Sequence, residues 1–378
     1  MRDGIIKRGT TYSYVVRERD PQTGKTKPRW AGGFKTQKEA KAARDKARTD
    51  VRKGTWVPPT SLTVSEWLDQ WLQGHAVSLK DSTVRAYRQK IDSYLKPTIG
   101  GERLQSLSPS RLSAVFRTMS DSGGKSGRPL SPRSVEFTRS ILRKSLNDAV
   151  AERVLEVNPV TGSKAPRRRG KPKHTTWTGD QQRAFLDARE EDRWLPLWQL
   201  ALATGMRRGE LCALTWADVN LDAGIVNVER AATQFGQRWV TDTTKNHERR
   251  KVSMDPHTVA ILRAWRRWQT SERLAAGPAC VDTDGLLFTW QDGSRVSLDY
   301  TTKTFVKIQT GTGLPRMSLH GCRHTHATTL LRAGVPVHIV SKRLGHKDPS
   351  VTLDVYADAI PEDDDRAVEV FSKAVWGA

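Results

Sequence analysis

The 378-residue chain lacks the features that mark several protein classes. It has three cysteines, Cys212, Cys280 and Cys322, and this odd and widely spaced set suggests neither a disulfide framework nor a four-thiolate zinc site. It has no run of about 18 apolar residues, the length that a membrane helix needs. Its first residues, MRDGIIKRGT, contain no apolar signal core. These absences favour a protein of a reducing compartment, and we expect it in the cytoplasm, with no membrane partner.

Acidic residues are scarce relative to basic ones. The chain has 63 Lys and Arg residues against 41 Asp and Glu residues, which gives a formal net charge of +22. Such an excess is typical of proteins that bind a polyanion, most often nucleic acid. A basic surface without a cognate ligand is the alternative from charge alone. The 13 tryptophans and a hydrophobic content of 37% are sufficient for packed cores, and the length favours two or three domains.

The first part of the chain combines strand and helix patterns. Short β-rich runs between residues 4 and 34 predict a three-stranded sheet, and the segment from Thr36 to Gly54 predicts one helix with a capping box at Thr36 and Glu39. A sheet face can enter a DNA major groove, although a solvated basic face is the alternative. The candidate DNA-binding residues of this unit are Lys7, Arg8, Arg17, Arg19, Lys25, Lys27 and Arg29.

Two further segments follow, each introduced by a linker. The Pro-rich stretch at residues 56–62 precedes a helical block of about a hundred residues, in which apolar spacing predicts four helices. The basic stretch at residues 165–176 is a second linker, and it is placed to lie against phosphates. From about Trp177 onward, helical patterns dominate again, with β character between them. We predict a mainly helical domain with a small antiparallel sheet.

The stretch SLHGCRHTHAT, residues 318–328, holds three histidines, a cysteine and an arginine. On a helix, His320 and Arg323 share one face and can reach one anionic oxygen group. A zinc site would instead use Cys322, His324 and His326. One-residue spacing places these on nearly opposite faces of a helix, and a usual zinc finger would need a second cysteine nearby. The metal-dependent nicking enzymes with paired histidines are a third alternative, which the helical pattern disfavours.

Four other candidates are weak one by one. Arg207 stands near a predicted helix start, where backbone amides also favour anions, yet an arginine pair is usually a surface charge. Lys245 lies on a predicted tight connection between two strands, where a lysine usually faces solvent. His346 follows Leu-Gly at a helix end and reads by itself as part of a C-terminal cap. Tyr356 would by itself be a core residue.

Together, the order Arg, Lys, His-x-x-Arg, His, Tyr is the set needed to break and rejoin DNA without metal or nucleotide. Two guanidiniums and an imidazole stabilise the charge that gathers on a phosphodiester under attack. A tyrosine becomes the nucleophile when its proton has an acceptor. A lysine ammonium can protonate the departing 5′ oxygen. The phosphotyrosine ester retains the bond energy, so resealing needs no ATP, and we expect no cofactor and no metal.

The strings ATGMRRGEL, TTKNHERRKV, SLHGCRHTHATTLLRAGVPVHIVSKRLGH and SVTLDVYADA resemble, in order and separation, the successive motifs of the tyrosine recombinases, and among them the phage-type integrases. The resemblance implies Lys245 as the general acid and Tyr356 as the nucleophile. It favours Arg207 over Arg208, while Asn246 departs from the small hydroxyl residue common there. The implied catalytic residues are Arg207, Lys245, His320, Arg323, His346 and Tyr356, and the implied supporting residues are Glu210, Asp218 and His324.

The resemblance also implies a multidomain fold. It comprises a small α+β arm-type DNA-binding domain at residues 1–55, an all-α core-binding domain at 61–165, and a mainly α catalytic domain with a small antiparallel sheet at 175–378. The implied function is site-specific integration or excision of a mobile element, by a tetramer on double-stranded attachment-site DNA. A host DNA-bending protein and an excision-directing factor are possible further partners. The alternatives are a type IB topoisomerase and a catalytically inactive DNA-binding regulator. Residues 362–378 would form a C-terminal segment able to dock on a neighbouring subunit, or a solvated end helix.

Overall fold

The computed structural model describes residues 4–19, 25–53, 56–166, 175–236, 238–243, 249–281, 283, 285–356 and 364–377. The chain divides into two compact units, Met1–Lys171 and Pro172–Ala378. The first holds a small sheet with one helix and then a helical block, and the second combines helices with small antiparallel sheets. The predicted fold class is therefore confirmed, while the three domain limits 1–55, 61–165 and 175–378 stay predictions.

The first unit begins with the predicted sheet and helix. Strands β1 (Ile5–Arg8), β2 (Thr11–Arg19) and β3 (Thr26–Phe34) form an antiparallel sheet in that order, and α1 (Gln37–Lys53) follows. The Thr36 hydroxyl accepts a hydrogen bond from the Glu39 amide at 3.2 Å, and the Glu39 carboxylate accepts one from the Thr36 amide at 3.3 Å. The predicted capping box is thus present. The small core of this part contains Tyr14, Val16, Ala31, Ala47 and Trp56.

The helical block contains the predicted helices around one continuous apolar core. Its first helix begins with a second capping box, in which the Glu66 carboxylate accepts hydrogen bonds from both the amide and the hydroxyl of Thr63 at 2.8 Å. The helices are α2 (Val64–Ala76), α3 (Asp81–Lys90), α4 (Lys96–Ile99), α5 (Pro109–Ser122) and α6 (Pro132–Ala151).

A π-helical turn, Ile91–Leu95, interrupts the predicted second helix of this block and separates α3 from α4. Pro97 explains the interruption, because proline has no amide hydrogen and its ring clashes with the carbonyl four residues before it in a regular α-helix. In the π turn the Lys96 amide donates to the Ile91 carbonyl, one residue further back than in an α-helix. The helical residues therefore continue without a gap from Asp81 to Ile99.

The second unit contains nine helices and five strands among its described residues. Its strands form two groups, β4-β5-β8 and the hairpin β6-β7, where the sequence predicted one small sheet. The strands are β4 (Val219–Asn220), β5 (Ile225–Val228), β6 (Arg230–Phe235), β7 (Arg238–Thr243) and β8 (Arg250–Ser253). The helices are α7 (Gly179–Asp187), α8 (Leu195–Thr204), α9 (Arg208–Ala213), α10 (Pro256–Ala276), α11 (Leu298–Lys307), α12 (Leu319–Arg332), α13 (Val337–Leu344), α14 (Pro349–Tyr356) and α15 (Asp364–Trp376).

Helices α8 and α12 form the centre of the second unit. In α8, eight of ten residues are buried, because the helix is apolar on every side. Helix α12 packs against it and also buries most of its residues, including an arginine and two histidines. The polar side chains of α12 are thus held at the C-terminal end of α8. None of the described helices is both long enough and apolar enough to span a bilayer.

Candidate active site

The site is built around the turn that ends α8. Gly205 has φ +62° and caps the helix in the left-handed conformation, which glycine adopts without strain. A Cβ atom there would also lie 2.9 Å from Leu344 Cδ2 and 3.0 Å from His326 Cδ2. Arg207 follows this turn and is the residue just before α9. Its guanidinium donates to the Gly345 carbonyl at 3.1 Å.

The Glu210 carboxylate binds two arginines, Arg207 and Arg250, beside this turn. Its carboxylate is 1% exposed and accepts hydrogen bonds from the Arg207 amide and the Arg207 guanidinium, both at 2.9 Å. It also accepts two bonds from Arg250, at 3.1 and 2.6 Å. Burial alone would raise the pKa of Glu210, but the hydrogen bonds and charge of Arg250, with those of Arg207, outweigh it and lower that pKa. The carboxylate is therefore ionised and orients Arg207.

Arg323 contributes a second guanidinium to the turn that ends α8. It is 2% exposed, and its Nη1 donates to the Gly205 carbonyl at 3.1 Å. Its buried Nη2 has no hydrogen-bond partner among the residues that the structure describes. Burial, followed by the repulsion of Arg207, lowers the pKa of Arg323 to about 9. A buried cation with an unused donor is costly unless an anion pairs with it, so this nitrogen suits a phosphate oxygen.

Two histidines of α12 and Tyr356 form a row of rings. The His320 and His324 rings are 5.0 Å apart and perpendicular, and the Tyr356 ring lies 5.4 Å from that of His324. Tyr356 is 5% exposed and packs against Leu331, Leu344 and their neighbours in a small core. Burial raises the pKa of Tyr356 to about 12, against the opposing effect of Arg323. The phenol is therefore protonated at neutral pH and needs a proton acceptor to attack.

His346 stands at the end of α13. Gly345, with φ +69°, caps this helix, and the His346 amide donates to the Ser341 carbonyl at 3.1 Å. The imidazole Nδ1 lies 2.8 Å from the Thr352 hydroxyl. Burial, and then the charges of Arg323, Arg207 and other cations, lower the pKa of His346 to about 4. The ring is neutral at neutral pH. The predicted helix end before His346 is confirmed, while its role as a catalytic residue stays a prediction.

Three family profiles match successive parts of the chain. The phage integrase family matches residues 177–362, an arm DNA-binding domain matches 5–51, and the N-terminal SAM-like domain of phage integrases matches 63–117. The motifs from Arg207 to Tyr356 all lie within the match to the phage integrase family.

The chain belongs to the phage integrase family of tyrosine recombinases. Curated relatives support this assignment over most of the chain. A protein named tyrosine recombinase XerC-like, from Caldanaerobacter subterraneus subsp. tengcongensis, is 26% identical over 360 residues, covering 89% of this chain and 90% of that protein. The ICEBs1 integrase of Bacillus subtilis is 24% identical over 350 residues, covering 90% of this chain and 91% of its own length.

Solved structures share the recombinase fold. The Tn1549 transposon integrase in complex with a circular intermediate DNA has a TM-score of 0.68 at 19% identity, covering 82% of this chain and 99% of that one. A lambda integrase tetramer bound to a Holliday junction has a TM-score of 0.61 at 19% identity, covering 95% of this chain and 96% of that one. At these identities, the similarity establishes the fold of this recombinase.

Five of the six predicted catalytic residues of the recombinase lie close enough to interact electrostatically, namely Arg207, His320, Arg323, His346 and Tyr356. Lys245 lies outside the described residues, and the strands before and after it, β7 and β8, belong to different sheets. Asp218 accepts hydrogen bonds from the Thr215 amide and from Arg230, the first residue of β6, both at 2.8 Å, and its supporting role stays a prediction. Arg208 points to α11, where it donates to the Leu298 carbonyl at 3.1 Å. Of the arginine pair, Arg207 therefore faces the site.

Sequence reasoning missed three residues that pack into the site. Arg250, Arg343 and His326 all contact the elements that carry Arg207 and Arg323. A signal for Arg250 was present, because Val252 is an inward residue of β8 and strand residues two apart share a face. The sequence marks His326 only as a candidate zinc ligand.

The zinc alternative does not fit the arrangement of α12. Both ring nitrogens of His326 are engaged, Nδ1 with the Leu202 carbonyl at 3.0 Å and Nε2 with Arg343 Nε at 2.9 Å. Cys322 is buried, and burial raises the pKa of its thiol, which disfavours the thiolate that zinc requires. Among the described residues no group of three or more His, Cys, Asp or Glu side chains could hold a metal ion.

The candidate cations of the N-terminal sheet do not share one face. Arg8 lies over the Trp30 ring at 4.9 Å, and Trp30 is exposed. Arg29 is the next residue along β3 and therefore points to the opposite face. Lys7 lies 5.9 Å from the Tyr12 ring. The side chains of Lys7, Arg8, Arg17, Lys25, Lys27 and Arg29 are exposed, and that of Arg19 lies outside the described residues.

Proposed function

We propose that this protein is a site-specific DNA recombinase that integrates or excises a mobile element by cleaving and rejoining DNA through a 3′-phosphotyrosine intermediate. The single observation that carries the proposal is the pair of guanidiniums from Arg207 and Arg323 beside Gly205. Arg207 follows Gly205 by two residues and donates to the Gly345 carbonyl, and Arg323 donates to the Gly205 carbonyl. Arg323 keeps a buried donor without a partner among the described residues, and its charge acts on Tyr356. This combination provides an anion site beside a tyrosine.

The proposed reaction is an in-line displacement at phosphorus. The Tyr356 oxygen forms a bond to phosphorus, the bond from phosphorus to the 5′ oxygen breaks, and the 3′ side of the strand stays attached to the protein. Arg207 and Arg323 bind the non-bridging oxygens, where negative charge increases in the transition state. The phenol proton passes to an acceptor as the bond forms, and we assign the protonation of the 5′ oxygen to Lys245. Rejoining is the reverse of these steps.

The permanent charges at the site match the demands of this reaction. Arg207 is held by Glu210 and by the Gly345 carbonyl, so little reorganisation is needed when a phosphate arrives. His320 and His346 are the further groups that we place on the phosphate. Neutral His346 can donate a hydrogen bond to a phosphate oxygen without adding a cation to a region that already holds three arginines. This set supplies the charge and the proton donors for strand cleavage, and we expect neither metal nor ATP to be needed.

We further propose that the recombinase acts as a tetramer on double-stranded attachment-site DNA. A lambda integrase has been solved as a tetramer on a Holliday junction, and this chain shares its fold. In α15, the apolar residues Val368, Phe371 and Val375 have the spacing of one helix face and are exposed. We assign this face to docking on a neighbouring subunit. We place the tetramer at the nucleoid, in the cytoplasm of the host cell. A host DNA-bending protein and an excision-directing factor would then set the direction of the reaction.

The test is the trapping of a covalent adduct. A DNA duplex nicked near the cleavage position loses a short fragment after cleavage and cannot be resealed, and pooled genomic fragments replace it where the site is unknown. Without added metal or ATP, wild type should form a protein–DNA adduct that survives denaturant. Tyr356→Phe should bind DNA normally and form no adduct, because it loses only the phenolic oxygen.

A matched tyrosine provides the control. Tyr300 lies in the same unit, where its hydroxyl accepts a bond from the Trp194 indole at 3.3 Å, and Tyr300→Phe should form the adduct normally. Adduct formation by Tyr356→Phe would refute the assignment of the nucleophile. DNA binding by wild type without any adduct would favour the regulator, and relaxation of supercoiled plasmids that carry no attachment site would favour a topoisomerase.

A further inference from the structure

For the strand-cleavage reaction proposed above, on which this depends, we infer that buried His326 and partly buried Arg343 form a positioning pair that sets the spacing of the phosphate-binding arginines. Neither residue belongs to the catalytic set itself. His326 lies on α12, one helical turn after Arg323, and Arg343 lies in the last turn of α13. The pair connects both helices to the end of α8, from which Arg207 follows.

The hydrogen bonds of His326 fix its protonation. An arginine Nε always donates, so the Arg343 bond of 2.9 Å requires that His326 Nε2 accepts. The proton of the neutral ring is therefore on Nδ1, which donates to the Leu202 carbonyl at 3.0 Å. Protonation of Nε2 would place two donors face to face in a buried site. Burial, and then the charges of Arg343 and Arg323, accordingly lower the pKa of His326 to about 4.

The pair satisfies the open end of α8. The last carbonyls of a helix have no partner inside it and carry its negative partial charge. The Leu202 carbonyl is bound by His326, and the Ala203 carbonyl accepts a bond from Arg343 Nη2 at 3.1 Å. The same nitrogen reaches the Ser253 carbonyl of β8 at 2.9 Å. One guanidinium thus joins α8, α12 and β8 to its own helix.

A second connection runs from Arg343 to Arg207 through buried charges. The Arg343 carbonyl accepts a bond from Arg250 Nε at 3.0 Å, and Arg250 binds both oxygens of Glu210. Glu210 in turn holds the side chain and the amide of Arg207. Arg207 is therefore fixed from its own turn and from α13. A displacement of Arg343 should move Arg207 relative to Arg323, whose Nη1 binds the Gly205 carbonyl.

The test compares Arg343→Met with Arg343→Lys. Both replacements have a linear stem of similar length, but lysine keeps a cation with three donors for the same three acceptors. We expect Arg343→Met to reduce the rate of adduct formation at saturating DNA by about 10- to 100-fold, because small displacements of catalytic groups have effects of this order. DNA affinity should change little. Arg343→Lys should recover a large part of the rate, which a packing role alone would not predict.

Two controls separate positioning from loss of stability. Arg332→Met changes an exposed arginine of α12 and should match wild type. Leu262→Ala removes a fully buried side chain of α10, so it should lower the melting temperature while the adduct rate of the folded protein stays near that of wild type. In a nitrogen-15 NMR spectrum, wild-type His326 should show the Nδ1–H tautomer at neutral pH, and Arg343→Met should change its nitrogen shifts.

The outcomes distinguish this inference from the function on which it depends. If wild type forms no adduct, the recombinase function itself fails. If wild type forms the adduct and folded Arg343→Met forms it at the same rate, or if methionine and lysine reduce the rate equally, the positioning role is refuted. A neutral Nε2–H tautomer in wild-type His326 would also refute it, because that tautomer cannot accept from Arg343.

Discussion

Replacing Arg250 by methionine should lower the free energy of unfolding, because it leaves the buried Glu210 carboxylate with fewer charged partners. The substitution removes two charge-assisted hydrogen bonds to Glu210 and one to the Arg343 carbonyl, and leaves Glu210 with Arg207 as its charged partner. Removing one member of a buried ion pair typically costs about 3–5 kcal/mol. Because Arg207 still compensates part of the charge, we expect about 3 kcal/mol at neutral pH. For a unit of this size, that corresponds to a fall in melting temperature of about 6–12 °C.

The cost should depend on pH in a definite direction. In wild type the folded-state pKa of Glu210 is lowered, so its contribution is present above the unfolded pKa and is lost as pH falls through the folded pKa. In Arg250→Met, burial would dominate and raise the pKa of Glu210 above its unfolded value. Ionised Glu210 would then destabilise the variant at neutral pH, and protonation would remove this effect toward about pH 4. The difference between variant and wild type should therefore shrink on acidification.

Urea unfolding at several pH values measures this difference. Arg249→Met is the matched control, because Arg249 is 79% exposed and lies 3.9 Å from Glu229, and its loss should change stability by less than about 0.5 kcal/mol. The double variant with Glu210→Gln should recover part of the loss, since the unpaired charge is gone. A loss under about 1 kcal/mol, or an equal loss at pH 7 and pH 4, would refute the assignment of Arg250 as the main partner of an ionised Glu210.

Three other predictions concern the turn, the anion site and the N-terminal sheet. Arg207→Lys should lower the rate of adduct formation by about 100-fold or more, because a point charge replaces a planar fork that serves two acceptors; an unchanged rate in the trapping assay would contradict this. Gly205→Ala should lose about 1–3 kcal/mol more in urea unfolding than Gly236→Ala, since both have positive φ but only Gly205 is crowded; equal losses would remove the steric explanation. Replacing Lys7 or Arg17 by methionine should reduce the salt slope of arm-DNA binding by about 0.9 per lost phosphate contact, with core-site cleavage unchanged; an unchanged slope would place these residues off the DNA.

Local patterns in the amino-acid sequence predicted most of the helices and strands and most of the candidate site residues. They did not predict the π-helical turn before Pro97 or the separation of β6-β7 from β4-β5-β8. The capping box at Thr36 and Glu39 and the pair His320 and Arg323 are local patterns, because each depends on two residues three positions apart along the chain. Local hydrogen bonds and apolar periodicity operate within one element, so these features can be read before any fold is known. The prediction of Tyr356 as the nucleophile rests on the order of motifs rather than on its own surroundings.

Tertiary structure decided which charged residues act together. Arg250 meets Glu210 from 40 residues away, and Arg343 meets the Ala203 carbonyl from 140 residues away. The structure separates Arg207 from its neighbour, because the Arg208 side chain donates to the Leu298 carbonyl of α11 while that of Arg207 donates to Glu210 and Gly345. Asp218, which motif order placed with the supports of the site, proved to pair with Arg230. Such contacts depend on how α8, α12, α13 and β8 pack. A buried charge is costly unless it is paired, and its partner comes from a distant part of the chain that only the fold brings close. Local sequence patterns therefore do not identify that partner.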